Sequence, residues 1–208
     1  MKRMLAALAL PLLAASAATA SDATDDFHAG AQVGLISLVR PLNVEVLAKT
    51  RLFGAGLEYS TFPGFISDPL LDLAGAKKGS TTATLDDFSA LNADLRVYPF
   101  SGSFFLGAAL GRQHLKATVT DTSTGSPQTA TADVTTWFVT PRLGWLWLMD
   151  SGVSLGLDLG VQLKLSADKN VVVPASAPPD LKTNVNNLVD LAAGIPLPSV
   201  NFRIGYLF

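Results

Sequence analysis

Residues 153–165 read Val153-Ser154-Leu155-Gly156-Leu157-Asp158-Leu159-Gly160-Val161-Gln162-Leu163-Lys164-Leu165. Every odd position is Val or Leu, and every even one is small or polar. Such strict alternation puts one set on each face of a β-strand, whereas a helix of 3.6 residues per turn would mix them. The stretch predicts a strand with one wholly apolar face and one polar face that carries Asp158 and Lys164.

The same rhythm recurs in both directions along the chain. Val200, Phe202, Ile204, Tyr206 and Phe208 alternate with Asn201, Arg203, Gly205 and Leu207. Trp137, Val139, Pro141, Leu143, Trp145 and Trp147 share one face, opposite Phe138, Thr140, Arg142, Gly144 and Leu146. Leu91 to Tyr98 alternates likewise, with Asn92, Asp94, Arg96 and Tyr98 on the polar side. Softer versions begin near Ala31, Leu42, Phe53 and Phe104. That makes eight predicted strands. Lys49–Leu52, Pro99–Ser103 and Met149–Gly152 read as tight turns, and Phe62–Asp87, Val119–Asp133 and Ala167–Ser199 as long loops. The short connection near Leu38–Pro41 breaks this pattern. Pro141 lacks the N–H that a fully paired strand needs, so a bulge is expected there.

Composition narrows the class. The chain has 208 residues, 49% hydrophobic and only 15% charged, and no cysteine. Intrinsic disorder needs the opposite balance, and without sulfur there is no disulfide scaffold or thiolate metal site. A formal net charge of −2 argues against a general nucleic-acid binder. The first twenty residues have the layout of a secretory signal peptide: Lys2 and Arg3, an apolar run from Leu5 to Ala15, then Ala18-Thr19-Ala20 as a small-residue cleavage site. Cleavage after Ala20 predicts export and leaves residues 21–208 as one domain. No later stretch has the 18–20 consecutive apolar residues of a membrane helix.

Which face meets which solvent follows from the polar side. Across the eight strands it carries Glu45, Glu58, Asp94 and Asp158 against Arg96, Arg142, Lys164 and Arg203. Four acids and four bases at mid-strand suit a lumen in which charges satisfy one another, with the apolar face turned to lipid. Trp137 and Trp147 share the apolar face ten residues apart. At ~3.3 Å per residue and ~40° tilt they stand about 25 Å apart along the membrane normal, the height of the band between two aromatic girdles. Trp145, Tyr206 and Phe208 would join Trp147 in the lower girdle, with Tyr59 and Phe202 nearer the upper one. The expected fold is an all-β, eight-stranded antiparallel up-and-down transmembrane barrel. A soluble periplasmic barrel is the architectural rival.

With its leader, its strand count and the terminal run from Val200 to Phe208, the chain resembles the small eight-stranded bacterial outer-membrane barrels, such as the OmpA transmembrane domain and OmpX. The resemblance spans the mature chain as architecture. It implies residence in the outer membrane of a Gram-negative bacterium, in contact with its lipid and lipopolysaccharide. It also implies that the alternation back from Phe208 is the signal read by the barrel-assembly machinery. The peptidoglycan-binding extension of OmpA has no counterpart after Phe208, so that anchoring role is not carried over.

The candidate sites are few. Arg112, His114 and Lys116 share the outward face near the upper rim, where Arg112 and Lys116 could meet lipopolysaccharide phosphates. Lipid-modifying barrels with a His–Ser pairing exist, but Arg112 to Thr118 does not reproduce it. His28 and His114 are too far apart in sequence to suggest a metal pair. No catalytic residue, cofactor or metal is therefore predicted. Asp180 is expected to cap a helix carrying Leu181, Val185, Leu188, Val189 and Ala192, ended by Gly194, within the last long loop. A shorter helix is expected after Asp68-Pro69, and the Thr-rich segment from Thr118 to Thr136 reads as a flexible loop. The functional expectation is a monomeric, non-enzymatic barrel with a plugged, charge-balanced interior, three long external loops and a structural or surface-interaction role. A small channel, or a binder of an apolar ligand beneath a helical cap, is the alternative; a lipid-modifying enzyme comes third.

Overall fold

Short turns close one rim of the sheet. At the first, the Thr50 N–H donates to the Phe53 carbonyl at 2.7 Å, and the Thr50 hydroxyl accepts from the Phe53 N–H at 3.1 Å. At the second, the Ser101 N–H donates to the Tyr98 carbonyl at 3.1 Å. At the third, Gly152 has a φ of +85°, and a Cβ there would lie 2.6 Å from the Tyr206 ring, so both backbone and space require glycine. All three fall where the sequence predicts tight turns.

The computed structural model describes residues 27–37, 42–62, 80–123, 125–193 and 196–208. They form β1 (His28–Ser37), β2 (Leu42–Lys49), β3 (Phe53–Thr61), β4 (Thr81–Val97), β5 (Phe104–Asp121), β6 (Gln128–Leu148), β7 (Val153–Val172), a helix α1 (Pro179–Ala193) and β8 (Leu197–Leu207). Each strand pairs antiparallel with the next, and β8 pairs with β1, so the sheet is a closed eight-stranded up-and-down barrel. The expected leader at residues 1–20, the connection at Leu38–Pro41, the helix after Asp68 and the stop at Gly194 lie outside the described residues.

The wall is uneven in height. β1, β2, β3 and β8 have 8 to 11 residues, whereas β4 to β7 have 17 to 21. At ~3.3 Å per residue and ~40° tilt, the 21 residues of β6 rise roughly 50 Å, about twice the apolar band of a membrane barrel. The segment from Thr118 to Thr136 is therefore not a flexible loop. Val119 pairs with Ala130 and Thr118 with Thr131, and only the residues between Asp121 and Gln128 connect the two strands. Thr is β-branched and suits a pleated ladder, which outweighs the turn-like composition. β4 likewise begins at Thr81 and β7 runs on to Val172, so both neighbouring loops are shorter than expected.

Two local expectations are corrected. No bulge marks Pro141: it pairs with Ala108 of β5, and β6 and β7 keep one register on either side of it, from Val139–Leu163 to Arg142–Gly160. The missing N–H interrupts the β7 ladder at that point without shifting it. The register shift in this pair lies instead between Trp137 and Phe138. In α1, Asp180 is not the cap. The helix starts at Pro179, whose fixed φ suits the first helical position, and Asp180 lies within the first turn, where a carboxylate complements the helix dipole.

Candidate functional site in the barrel interior

Inward-facing positions divide the lumen into three layers. Nearest the turn rim, Leu47, Tyr98, Phe105, Leu146 and Leu207 form a buried apolar floor. The Tyr98 and Phe105 rings meet edge-on, with centroids 5.8 Å apart. Lys49 Nζ lies 4.4 Å from the centre of the Tyr98 ring, and the Arg96 guanidinium 4.9 Å from that of Phe105, so the floor is joined to charge on both sides.

Above the floor lie Glu45, Glu58, Asp94 and Asp158 with Arg96, Arg142 and Arg203, all buried. Arg96 pairs with Glu45 and with Asp94. Arg142 Nε donates to Asp94 Oδ1 at 2.9 Å. Arg203 reaches three carboxylates: Glu58 at 2.6 Å, Asp158 at 2.6 Å and Glu45 at 3.3 Å. Neutral groups complete the layer. Asn92 and Ser60 donate to Glu58 at 2.9 and 3.2 Å, and Gln32 donates to Ser154 at 2.9 Å. With its amide oxygen turned to the guanidinium, Asn201 accepts from Arg203 Nη2 and Nε at 2.6 and 2.8 Å. Buried ions are tolerable only when paired and hydrogen-bonded in this way, since each loses its hydration.

Lys164 does not join them. It is exposed, because β8 ends at Leu197 opposite Gln162, and β7 has no second neighbour beyond that point among the described residues. Among those residues, the layer thus holds four carboxylates and three guanidiniums, one negative charge more than the balance expected from the sequence. Small inward positions let the long side chains meet. A Cβ on Gly111, for example, would lie 2.0 Å from Asn92 Oδ1 and 2.4 Å from the Phe138 ring.

The third layer is the roof. Gln162 donates to Gln113 at 3.3 Å, and Phe138 is fully buried. Above them the inward positions turn apolar: Ala83, Phe88 and Ala90 on β4, Leu115, Ala117 and Val119 on β5, and Ala130, Ala132 and Val134 on β6. Leu181, Val185, Leu188 and Val189 of α1 pack on this surface, so the helix lies against the inward side of β5 to β7 at the loop end. Lys169 of β7 lies 3.7 Å from Asp190 of the helix. Contrast between the two faces does not by itself mark the apolar floor or the apolar inner face of β4 to β6. The signal was present in the inward parity of Leu47, Tyr98, Leu146 and Leu207, and in the alternation of Ala and Val with Thr near the loop rim.

The outer wall carries large apolar side chains on every strand, among them Val33, Val44, Leu57, Leu95, Leu106, Leu143, Leu159 and Ile204. Leu95 is the most open of these, at 68% exposure. Tyr59, Leu91, Arg112 and Trp137 occupy one ladder row across β3 to β6. Toward the loop rim from that row, the outward face of β4 to β6 turns polar: Thr82, Thr84, Lys116, Thr118, Thr120, Thr129, Thr131 and Asp133. At the turn end, Trp147, Tyr206 and Phe208 are exposed, and Trp145 packs on Phe104 with ring centroids 5.6 Å apart. Phe202 stands in the row that runs through Leu157 to Trp145.

Near the loop tip, Asp121 accepts from the Ser123 N–H at 2.6 Å and from the Thr81 hydroxyl at 3.2 Å. The bonds from Ser123, then those from Thr81 and Ser80, hold its pKa below the usual aspartate value. His114 is flanked by Asp133 at 3.5 Å and Asp87 at 3.9 Å. Among the described residues, no group of three or more His, Cys, Asp and Glu side chains is placed to hold a metal ion.

The chain matches no protein-family model and no curated protein sequence. Among solved structures it is similar to Acinetobacter baumannii CarO, at 12% identity over 86% of this chain and 97% of that one, with a TM-score of 0.44. It is similar to Acinetobacter baumannii CarO2 at 9% identity over 89% and 100%, with a TM-score of 0.47. It is also similar to a major outer membrane protein from Thermus thermophilus, at 16% identity over 88% and 98%, with a TM-score of 0.42.

Proposed function

We propose that the protein is an outer-membrane barrel with a structural or surface-interaction role, built to display the sheet of β4 to β7 and its helix above the bilayer. The observation that carries this reading is the change of the outer wall from apolar to polar at the row of Tyr59, Leu91, Arg112 and Trp137. An apolar wall on all eight strands suits hydrocarbon, and the polar wall above it suits water. Secretion through the leader, cleavage after Ala20, insertion by the barrel-assembly machinery and a monomeric state belong to the same reading. So does the absence of catalysis.

The layered lumen supports a plugged barrel over a general pore. A solute would have to pass the ion-pair layer and then the floor. Planar-bilayer recordings of the folded monomer are expected to show no large, steady conductance, and such a conductance would overturn this reading. Folded protein is also expected to migrate differently in unboiled and boiled detergent gels. A second reading, a binder of an apolar ligand beneath α1, draws support from the small residues Ala83, Ala90, Ala117, Ala130 and Ala132 that face the helix. Protection of α1 from proteolysis by an added fatty acid would favour it over the first.

A further inference from the structure

The outer wall of β3 to β6 carries an open depression of about 360 Å³ at the boundary between its apolar and polar zones. Its origin is legible in the ladder. Across one row stand Tyr59, Leu91, Arg112 and Trp137, all bulky, while the β4 positions one row above and one row below Leu91 are Ser89 and Ala93. The small pair leaves a hollow in the wall, walled by Tyr59 on one side and by Arg112 and Trp137 on the other.

The basic side chains at this boundary are not equivalent. His114 has Asp133 and Asp87 within 4 Å, and Lys116 is opposite the same two aspartates in the ladder. Arg112 is exposed, its row neighbours are Leu91 and Trp137, and among the described residues it makes no ion pair. Among the described residues it is thus an arginine with no carboxylate partner, at the row where the wall changes from apolar to polar. A guanidinium there has an apolar stem lying on the wall and a planar fork free for a bidentate acceptor.

We propose that this depression is a lipid site that holds one acyl chain of a phosphorylated outer-leaflet lipid, with its phosphate on the Arg112 guanidinium. The hollow takes methylenes that a smooth wall would leave loosely packed. The phosphate supplies the two acceptor oxygens that suit the fork, in a zone where water competes less than in bulk. Of the two basic residues that the sequence offers for lipopolysaccharide, the site uses Arg112, whereas Lys116 stands opposite Asp87 and Asp133 in the ladder. The inference rests on the membrane placement proposed above.

The test uses the full-length folded protein in detergent micelles, with bisphosphorylated lipid A as the probe and native mass spectrometry as the readout. Removing the charge with Arg112→Gln, or filling the hollow with Ala93→Phe, is expected to lower lipid A retention by at least about tenfold, as loss of a charge-assisted contact implies. Lys116→Gln is expected to stay within about twofold, as for an exposed charge opposite two aspartates. Dephosphorylated lipid A is expected to bind the wild type as weakly as bisphosphorylated lipid A binds Arg112→Gln. Undiminished retention in both Arg112→Gln and Ala93→Phe overturns the proposal. So does an equal loss in Lys116→Gln, which marks diffuse surface charge, and so does equal binding of dephosphorylated lipid. Each variant is first checked for heat-modified migration. Failure of the wild type in that check strikes the membrane placement, whereas lipid retention among variants that pass strikes the site alone.

Discussion

The lower and upper halves of β4, β5 and β6 are the same strands with opposite polarity. Below the row of Leu91, Arg112 and Trp137, the outward positions are Leu95, Leu106, Leu110 and Leu143, and the inward ones include Asp94, Arg96 and Arg142. Above it, the outward positions are Thr and charged residues, and the inward ones are Ala, Val, Leu and Phe. Alternation is preserved throughout, so periodicity reports only that a strand exists. The polarity of each face reports what lies outside it: the lower segment is arranged for an apolar surrounding, the upper for an aqueous one with a helix as its core. The two halves accordingly differ in what holds them, a buried ion-pair layer over a small apolar floor below and hydrophobic packing on the helix above.

The largest expected effect lies in the lower half. Arg203→Ala leaves Glu45, Glu58 and Asp158 without their shared guanidinium, and loss of one partner from a buried pair costs about 3–5 kcal/mol. Urea unfolding in lipid vesicles measures it, and a change below about 1 kcal/mol would mean that water reaches this layer and screens it. In the upper half, Leu188→Ala removes a buried helix side chain and should weaken helix docking by about 2–4 kcal/mol. Amide exchange should rise in α1 while heat-modified migration persists. Parallel loss of both would show that the halves form one cooperative unit.

The comparison sharpens further with one substitution made twice. Leu95→Arg places a cation on the lower outer wall and should destabilise by about 2–3 kcal/mol, whereas Thr131→Arg on the upper outer wall should change stability by less than about 0.5 kcal/mol. Equal effects at the two positions would remove the basis for a membrane boundary between them. The smallest effect concerns the upper tip. Because Asp121 has a lowered pKa, the order it lends to the tip is complete at neutral pH and is lost as pH falls through its folded-state pKa, below the usual aspartate value. Exchange of the Ser123 amide, corrected for its intrinsic pH dependence, should therefore quicken only in acid. Loss of protection already above the usual aspartate range would reverse the sign.

Strand number, the closed order and the inward parity of Glu45, Glu58, Asp94, Arg96, Arg142, Asp158 and Arg203 are legible from alternation, because a period of two has only one structural reading. The upper extension is harder to see. Thr129, Thr131 and Thr135 alternate with Ala130, Ala132 and Val134 in proper strand fashion, but small apolar residues give little contrast, and a Thr-rich stretch imitates a loop. Lys164 was misleading for another reason. Its parity is inward, yet what that face meets depends on where β8 stops, and a chain-local pattern holds no information about the length of a partner strand. The helix is legible from its spacing, and its apolar face allows two seats, over the barrel mouth or at the membrane surface; the seat on the inward side of β5 and β6 is set by the height of those strands.

Ending β8 at Leu197 has a further consequence. Beyond Gln162, β7 presents a row of backbone donors and acceptors with no neighbour on one side among the described residues, a natural template for annealing to another molecule. Lys164, Asp168, Lys169 and Asn170 fall on that stretch, and all four are exposed. To bind along it, a foreign strand would have to strip water from these groups. Charged side chains along an open edge oppose strand addition, so this stretch of β7 is guarded by its own charges where β8 leaves it unpaired.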